Sequence, residues 1–305
     1  MLPLYLPIAE MSVDGLLIAA LGALVGFISG MFGVGGGFLM TPLLIFAGVP
    51  PAVAVASGTN QIIASSFTGT ISHWRRGNVD FRMGLVLLGG GVLGSALGVM
   101  LFALLQSSGQ IDLFIRLAFV VFLAAVGVLM LAENLISLVR RRSPAASTPR
   151  GFGRFAWAAR LPWPMTFPKS GLTLSLLLPV AVGSIGGFLV ATMGVSGVVA
   201  VPAMIYVLGM PTQVVVGTSL FEIVFLTAVT TFFQATVNHN VDVLLTVLLM
   251  AGSVFGVQWG AALGTRLGGR SLRILMAVLV LTVCAGLMNN LLTAPREPFS
   301  VTIVR

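Results

Sequence analysis

Apolar residues along this chain gather in long runs separated by short polar breaks. No Asp, Glu, Lys or Arg occurs from Gly15 to Trp74, nor from Ser170 to Phe221. Runs of that length exceed the roughly 20 apolar residues that carry a helix across a bilayer. The pattern predicts elements at 14–33, 37–48, 52–73, 83–105 and 113–138. After a polar stretch it predicts five more, at 172–193, 197–208, 212–236, 243–264 and 274–294. The class expected is an all-α polytopic membrane protein.

The two sets of five match. GFISGMFGVGGGFLMTPLLIFAGVP (26–50) lies against GFLVATMGVSGVVAVPAMIYVLGMP (187–211), pairing Phe27 with Phe188, Gly33 with Gly194, Gly36 with Gly197 and Pro50 with Pro211. GNVD (77–80) lies against HNVD (239–242). The chain therefore divides into a first repeat (1–138), a basic linker (139–171) and a second repeat (172–305). Lys and Arg mark cytoplasmic loops. Arg75, Arg76 and Arg82, the linker from Arg140 to Lys169, and Arg266, Arg270 and Arg273 belong on that side, whereas the loops at 106–112 and 237–242 carry no Lys or Arg. Equivalent loops of the two halves thus fall on opposite faces, which predicts two inverted-topology repeats with both termini periplasmic.

Five glycines fall within eight residues at Gly30, Gly33, Gly35, Gly36 and Gly37. Each costs a helix interior roughly 1 kcal/mol against alanine. The element that follows, 37–48, is about 18 Å long, too short for a core of roughly 30 Å. A Gly-rich broken or re-entrant helix hairpin in each repeat accounts for both facts. Irregular backbone at that depth survives only against protein or a water-filled cavity. The short helices would present free amides and positive dipole ends to an anion without any Arg or Lys. Close helix packing by glycine is the competing reading. On the first reading the substrate meets Gly33, Gly35, Gly36 and Gly37 at one bend, and Gly194, Ser196 and Gly197 at the other. The unusually polar span 52–73 adds Ser57, Thr59, Asn60 and Gln61, and its counterpart adds Thr218 and Ser219.

Glu222 is the one acid inside span 212–236, at the position matching Gln61. A carboxylate at bilayer depth costs at least about 2.5 kcal/mol, so Glu222 is the candidate proton-coupling residue. His73, His239 and Arg116 sit near span ends, where interfacial placement suffices. Asp80 and Asp242 are expected to cap the helices that follow them.

Composition narrows the function. The chain is 57% hydrophobic and only 8% charged, against roughly 25% charged for a soluble domain. Its net charge of +8 is spread over loops and forms no nucleic-acid-binding patch. Cys284, the one cysteine, can form no internal disulfide. Residues 1–14 lack a basic stretch and carry Glu10 and Asp14, which argues against a cleaved signal peptide. No GK[ST] follows GVGGGF, and no HExxH, paired-Cys or Ser–His–Asp set occurs. No catalytic residue, metal or cofactor is expected, and the chain does not read as an enzyme.

GFISGMFGVGGGFLMTPLL, SGTNQIIASSFTGTISHWRRGNVD and the second-half VVVGTSL resemble the sulfite exporter TauE/SafE family of membrane permeases over nearly the whole chain. The resemblance implies a secondary transporter, most naturally an exporter, of a small anion such as sulfite, sulfoacetate or a related sulfonate across the bacterial inner membrane. Its partners would be that anion, a proton and the lipid bilayer. The first half reads SGTN where the second has the more family-like GTSL, and GVSGV replaces GVGGG. The two sides of any site therefore differ chemically. An anion channel and a non-transporting membrane scaffold or assembly factor are the competing readings.

Overall fold

The structure, a computed structural model, describes residues 3–32, 36–139, 163–195, 197–264 and 269–292. Gly33, Gly35, Ser196, Arg266 and the linker arginines from Arg140 to Arg160 lie outside the described residues. The fold is mostly helical. Its first half carries α1 (Gly15–Phe32), α2 (Gly37–Phe46), α3 (Pro51–Gly58), α4 (Asn60–Arg75), α5 (Phe81–Ser107) and α6 (Ile111–Val139). The second carries α7 (Leu177–Met193), α8 (Gly197–Pro202), α9 (Thr212–Phe233), α10 (Val243–Gly264) and α11 (Gly269–Leu292). π-helical turns extend α8 over Ala203–Val207 and α9 over Gln234–Asn238. The expected span 52–73 is divided at Thr59 into α3 and α4.

Four described helices are long and apolar enough to cross a membrane, namely Phe81–Ser107, Ile111–Leu129, Val214–Asn238 and Val243–Gly260. Leu93, Leu97 and Met100 on α5, Leu117 and Val121 on α6, and Phe255 and Trp259 on α10 stand exposed. In water such faces would associate, whereas in a bilayer lipid covers them. This is a multi-pass membrane protein.

Two β-hairpins interrupt the helical pattern, and neither was expected. β1 (Pro3–Leu6) pairs antiparallel with β2 (Met11–Asp14), and β3 (Pro164–Phe167) with β4 (Leu172–Ser175). They occupy matching places, directly before α1 and α7. The linker read from sequence as 139–171 therefore includes a folded strand, and the span read as 172–193 opens as another. Strands of four residues are too short for period-2 alternation to stand out in so apolar a chain. Each hairpin buries one large side chain, Leu6 or Phe167. Each loop closes on a residue with positive φ, Glu10 at 52° and Gly171 at 64°.

Inside a bilayer, helices gain nothing hydrophobic by touching, so small residues that permit close approach decide which pairs form. Gly22 and Gly26 of α1 lie against the backbone of Leu249 and Ser253 on α10. In return, Gly252, Gly256 and Gly260 of α10 lie against Ala19, Ala23 and Phe27. The pair α5–α7 repeats the device, with Gly90 and Gly94 against Val180 and Ser184, and Gly183 and Gly187 against Leu87 and Gly91. A Cβ on any of these glycines would overlap a neighbouring carbonyl oxygen. Both pairs run parallel and both join one half of the chain to the other, as do the contacts of α4 with α9 and α6 with α11.

Two aspartates fasten the ends, and each caps its own helix as expected. Asp80 accepts from Met83 N at 3.2 Å through Oδ1, and from Ser170 N and Oγ at 3.0 and 2.7 Å through Oδ2. Its own N–H donates to Thr218 Oγ1 at 3.0 Å. Asp242 accepts from Leu245 N and Ile8 N, both at 3.1 Å, and donates its N–H to Ser57 Oγ at 2.9 Å. Each carboxylate thus ties the start of a helix in its own half to a hairpin loop of the other. Gln106, near the far end of α5 from Asp80, bonds Asn240 through both amide atoms at 2.8 and 3.4 Å. The Asp80 and Asp242 clusters therefore lie at opposite ends of α5.

Gly94→Leu or Gly256→Leu should leave little monodisperse protein after detergent extraction, because the added carbons meet backbone rather than a mobile side chain. Gly89→Ala, with nothing within 4 Å of the new methyl, should melt at the same temperature or slightly higher, helix propensity alone favouring it by up to about 1 kcal/mol. Asp80→Ala and Asp242→Ala should each destabilise by about 1.5–3 kcal/mol, the range for hydrogen bonds to a charged group. Asp112→Ala, at an exposed helix start, should differ little from wild type in the same thermal melts.

Candidate functional site

The two glycine bends meet. α1 ends at Phe32 and α2 starts at Gly37, with Gly36 as its N-cap at φ 12° and ψ −8°. Gly36 N donates to Ser29 Oγ at 2.9 Å, which folds the bend back onto α1. A Cβ at Gly37 would overlap Ile62 and sit 2.5 Å from the carbonyl oxygen of Gly194. Gly194 ends α7 in the left-handed region at φ 69°, with its N–H on Val190 O at 2.9 Å. A Cβ there would stand 2.9 Å from Thr59 Oγ1 and 3.3 Å from Thr41 Oγ1. Conformation and space both demand glycine at this position.

The path of the chain through each bend follows from neighbouring contacts. The hairpin before α7 and Thr218 near the start of α9 both bond Asp80, while Gln234 Nε2 at the far end of α9 donates to Ala191 O of α7 at 2.8 Å. α7 and α9 therefore run in the same direction, and α8 with its π-helical turn carries the chain back between them. In the first half, Ile8 before α1 and Ser57 of α3 share Asp242 in the same way, which leaves α2 to make the return. α8 is only six residues long before its π-helical turn. Together α8 and that turn run from Gly197 to Val207, close to the element expected at 197–208.

Those side chains fall into three sets. Ser57 and Thr218 are committed as acceptors to the backbone N–H groups of Asp242 and Asp80. Thr59 Oγ1 donates to Val55 O at 2.6 Å, Ser219 Oγ to Val216 O at 3.0 Å and Asn60 Nδ2 to Ala56 O at 3.2 Å. Asn60 Oδ1 accepts from Thr231 Oγ1 at 2.6 Å, fixing α4 against α9. The third set is buried without a protein partner: both amide atoms of Gln61, Thr41 Oγ1, Thr230 Oγ1, Ser66 Oγ and Glu222 Oε2. Exposure of these residues is only 1–2%. A buried polar group left unmatched costs about 1–3 kcal/mol.

Two contacts, Asn60 with Thr231 and Gly69 with Leu220, make α4 and α9 antiparallel. Gln61 thus stands level with Thr230, near the meeting of Gly37 and Gly194. Glu222 stands near the level of Gly69, roughly 10 Å along the helix axis at 1.5 Å per residue. The sequence-predicted residues therefore separate. Gly36, Gly37, Gly194, Thr59, Asn60 and Gln61 come together, and buried Gly197 opens α8 just beyond the second bend. Ser57, Thr218 and Ser219 are occupied elsewhere, and Glu222 lies apart. Thr41 belongs to the assembled group but was not singled out for the site from sequence. For Thr41 the signal was a lone hydroxyl in the apolar run GFLMTPLLIF. Among the described residues no group of His, Cys, Asp or Glu could hold a metal ion.

The chain is similar to several proteins described as probable membrane transporters. The probable membrane transporter protein YjnA of Bacillus subtilis is 27% identical over 267 residues, covering 87% of this chain and 96% of its own. YunE, a probable membrane transporter protein of the same organism, is 24% identical over 88% of this chain and 94% of its own. A probable membrane transporter protein of Xylella fastidiosa is 29% identical over 80% of this chain and 83% of its own. No solved structure matches. These relatives are described as transporters, not enzymes. A family model described as sulfite exporter TauE/SafE matches residues 18–287, and the chain belongs to that family.

Proposed function

We propose that this protein is a secondary transporter, working as an exporter, that moves a small anion such as sulfite, sulfoacetate or a related sulfonate across the bacterial inner membrane. The observation that carries the reading is the meeting of Gly37 and Gly194 against α3 and α4, beside the buried and unpartnered Thr41 hydroxyl. The family description supplies the anion class. Charge is handled without a basic side chain, since Lys and Arg are missing from 15–74 and 170–221.

The two halves act as five-element inverted repeats with the site between them. In support, the hairpin of the first half bonds Asp242 at one end of α5, and that of the second bonds Asp80 at the other. Glycine spacing along α1 and α7, and along α5 and α10, repeats with the halves. Arg75, Arg76, Arg82 and Lys169 gather at the Asp80 end, which is the cytoplasmic one by the positive-inside rule. The linker is then cytoplasmic and both termini periplasmic. Glu222, buried and apart from the bends, carries the coupling proton.

Proteoliposomes loaded with a pH dye should show saturable, countertransport-stimulated sulfite flux that responds to an imposed pH gradient. Glu222→Gln should retain exchange but lose the response to the gradient. No flux at all would favour a scaffold, and non-saturating flux a channel. Pro7 and Pro168, equivalent exposed positions in the two hairpin loops, should label from opposite sides as single cysteines in a Cys284→Ser background. Labelling from one side would end the inverted reading.

A further inference from the structure

The turn that joins α4 to α5 carries more than the fold needs. Gly77, at φ 72°, donates its N–H to Trp74 O at 2.8 Å, Asn78 N donates to His73 O at 3.0 Å, and Asp80 caps α5. The matching turn at the other end of the bundle, HNVD (239–242), makes the same aspartate clamp. There the places of Trp74, Arg75, Arg76, Phe81 and Arg82 are taken by Thr236, Val237, Asn238, Val243 and Leu244. One clamp is thus built without cations or aromatic rings, and the other adds both.

Arg75, Arg76, Arg82 and Lys169 stand exposed around the first turn, with Lys169 Nζ donating to Gly77 O at 3.1 Å. Asp80, the acid among them, is buried and turned to Met83 and Ser170. Among the described residues no carboxylate pairs with the four cations. Beside them runs a ridge of rings. Trp74 meets Phe81 edge to face with centroids 6.1 Å apart, Phe81 meets Phe221 likewise at 5.2 Å, and Phe221 meets Phe225 at 5.0 Å. Trp74, Phe81 and Phe225 are exposed. Phe221 is seated over Gly84, where a Cβ would fall 2.7 Å from the ring, so the ridge is fixed to α5 and α9 together. At 1.5 Å per residue, Phe225 lies about 10 Å beyond Thr218 along α9. The ridge therefore descends from the charged turn toward the hydrocarbon.

We propose that this ridge and its four cations bind one anionic phospholipid of the bilayer, with its phosphate among the guanidinium groups and an acyl chain along Phe81, Phe221 and Phe225. Guanidinium offers paired N–H donors that match the oxygens of a phosphate. A ring such as that of Trp74 suits headgroup level, where one end meets water and the rest meets hydrocarbon. Positive charge at the turn would by itself orient the chain in the membrane, but it does not call for aromatic rings continued across two helices. A soluble anion has nothing to lay along them either. The site requires only that α5 crosses the bilayer, and it is independent of the solute moved.

The purified full chain in neutral detergent is titrated with dioleoyl phosphatidylglycerol, dioleoyl phosphatidylcholine and glycerol phosphate, with binding read by native mass spectrometry and thermal shift. Phosphatidylglycerol should bind at least tenfold tighter than either other probe, and added salt should weaken it. Arg75→Gln combined with Arg82→Gln should cost at least tenfold in that affinity. Arg116→Gln, which removes a charge near the start of α6 at the other end of the bundle, should leave it unchanged. Trp74→Leu combined with Phe225→Leu keeps every cation, and with them the orientation signal, and should weaken the lipid at least threefold. Equal binding of the two lipids, or an equal loss in Arg116→Gln, would overturn the inference by reducing it to bulk charge. Full affinity in the leucine pair would overturn it by removing the ridge from the site. Glycerol phosphate bound as tightly as the lipid would overturn it in favour of a soluble anion.

Discussion

A bilayer gives two helices no hydrophobic reason to touch, because lipid tails cover an apolar face as well as another helix does. Association then rests on how closely two backbones can approach. In this protein that constraint is met by glycine at every fourth residue on both members of two helix pairs, α1 with α10 and α5 with α7. Each contact sets a glycine against a carbonyl oxygen of its partner, so the fit is backbone to backbone and leaves little room for sliding. Every other feature hangs from these two seams.

The seams cross between the halves of the chain, and so do the clamps at their ends. Asp80 gathers the start of α5, a hairpin loop and α9, while Asp242 gathers the start of α10, the other hairpin loop and α3. A charged acceptor that collects several donors at once is among the stronger polar contacts available to a protein. Together the seams and clamps join the two halves, and they bring the start of α2 and the end of α7 to one place.

What lies at that place is expensive. Irregular backbone and unpartnered side chains at membrane depth persist only against protein or a polar cavity. The chain places glycines at bends that a continuous helix would not need, and it has left the Thr41 hydroxyl beside them and the Gln61 amide without a protein partner. A bundle built for stability alone would have filled those positions with leucine. These groups lie on α2 and α4, and α4 and α9 are one of the pairs through which the two halves meet.

Much of this was legible in the residues. Long uncharged runs gave the helices, because hydropathy integrates over twenty residues and tolerates local error. The doubled GxxGG-like bends, Asp80 and Asp242 as caps, and the polarity of α4 were visible for the same reason: each breaks a uniform apolar background. The hairpins were not, since four-residue strands carry no periodic signal in such a chain. The packing glycines of α5 and α10 were not either, since their spacing acquires meaning only when a partner backbone is known. The roles of individual hydroxyls lay furthest from reach. Ser57 and Thr59 read alike in sequence, yet one accepts from Asp242 and the other from no one, donating instead along its own helix. Composition and order alone determined that the chain is a helical membrane protein, because long uncharged runs need no tertiary information to be read. Only the tertiary structure decided which polar groups hold the bundle together and which are left buried without a protein partner, because several of the deciding hydrogen bonds reach across from the other half of the chain.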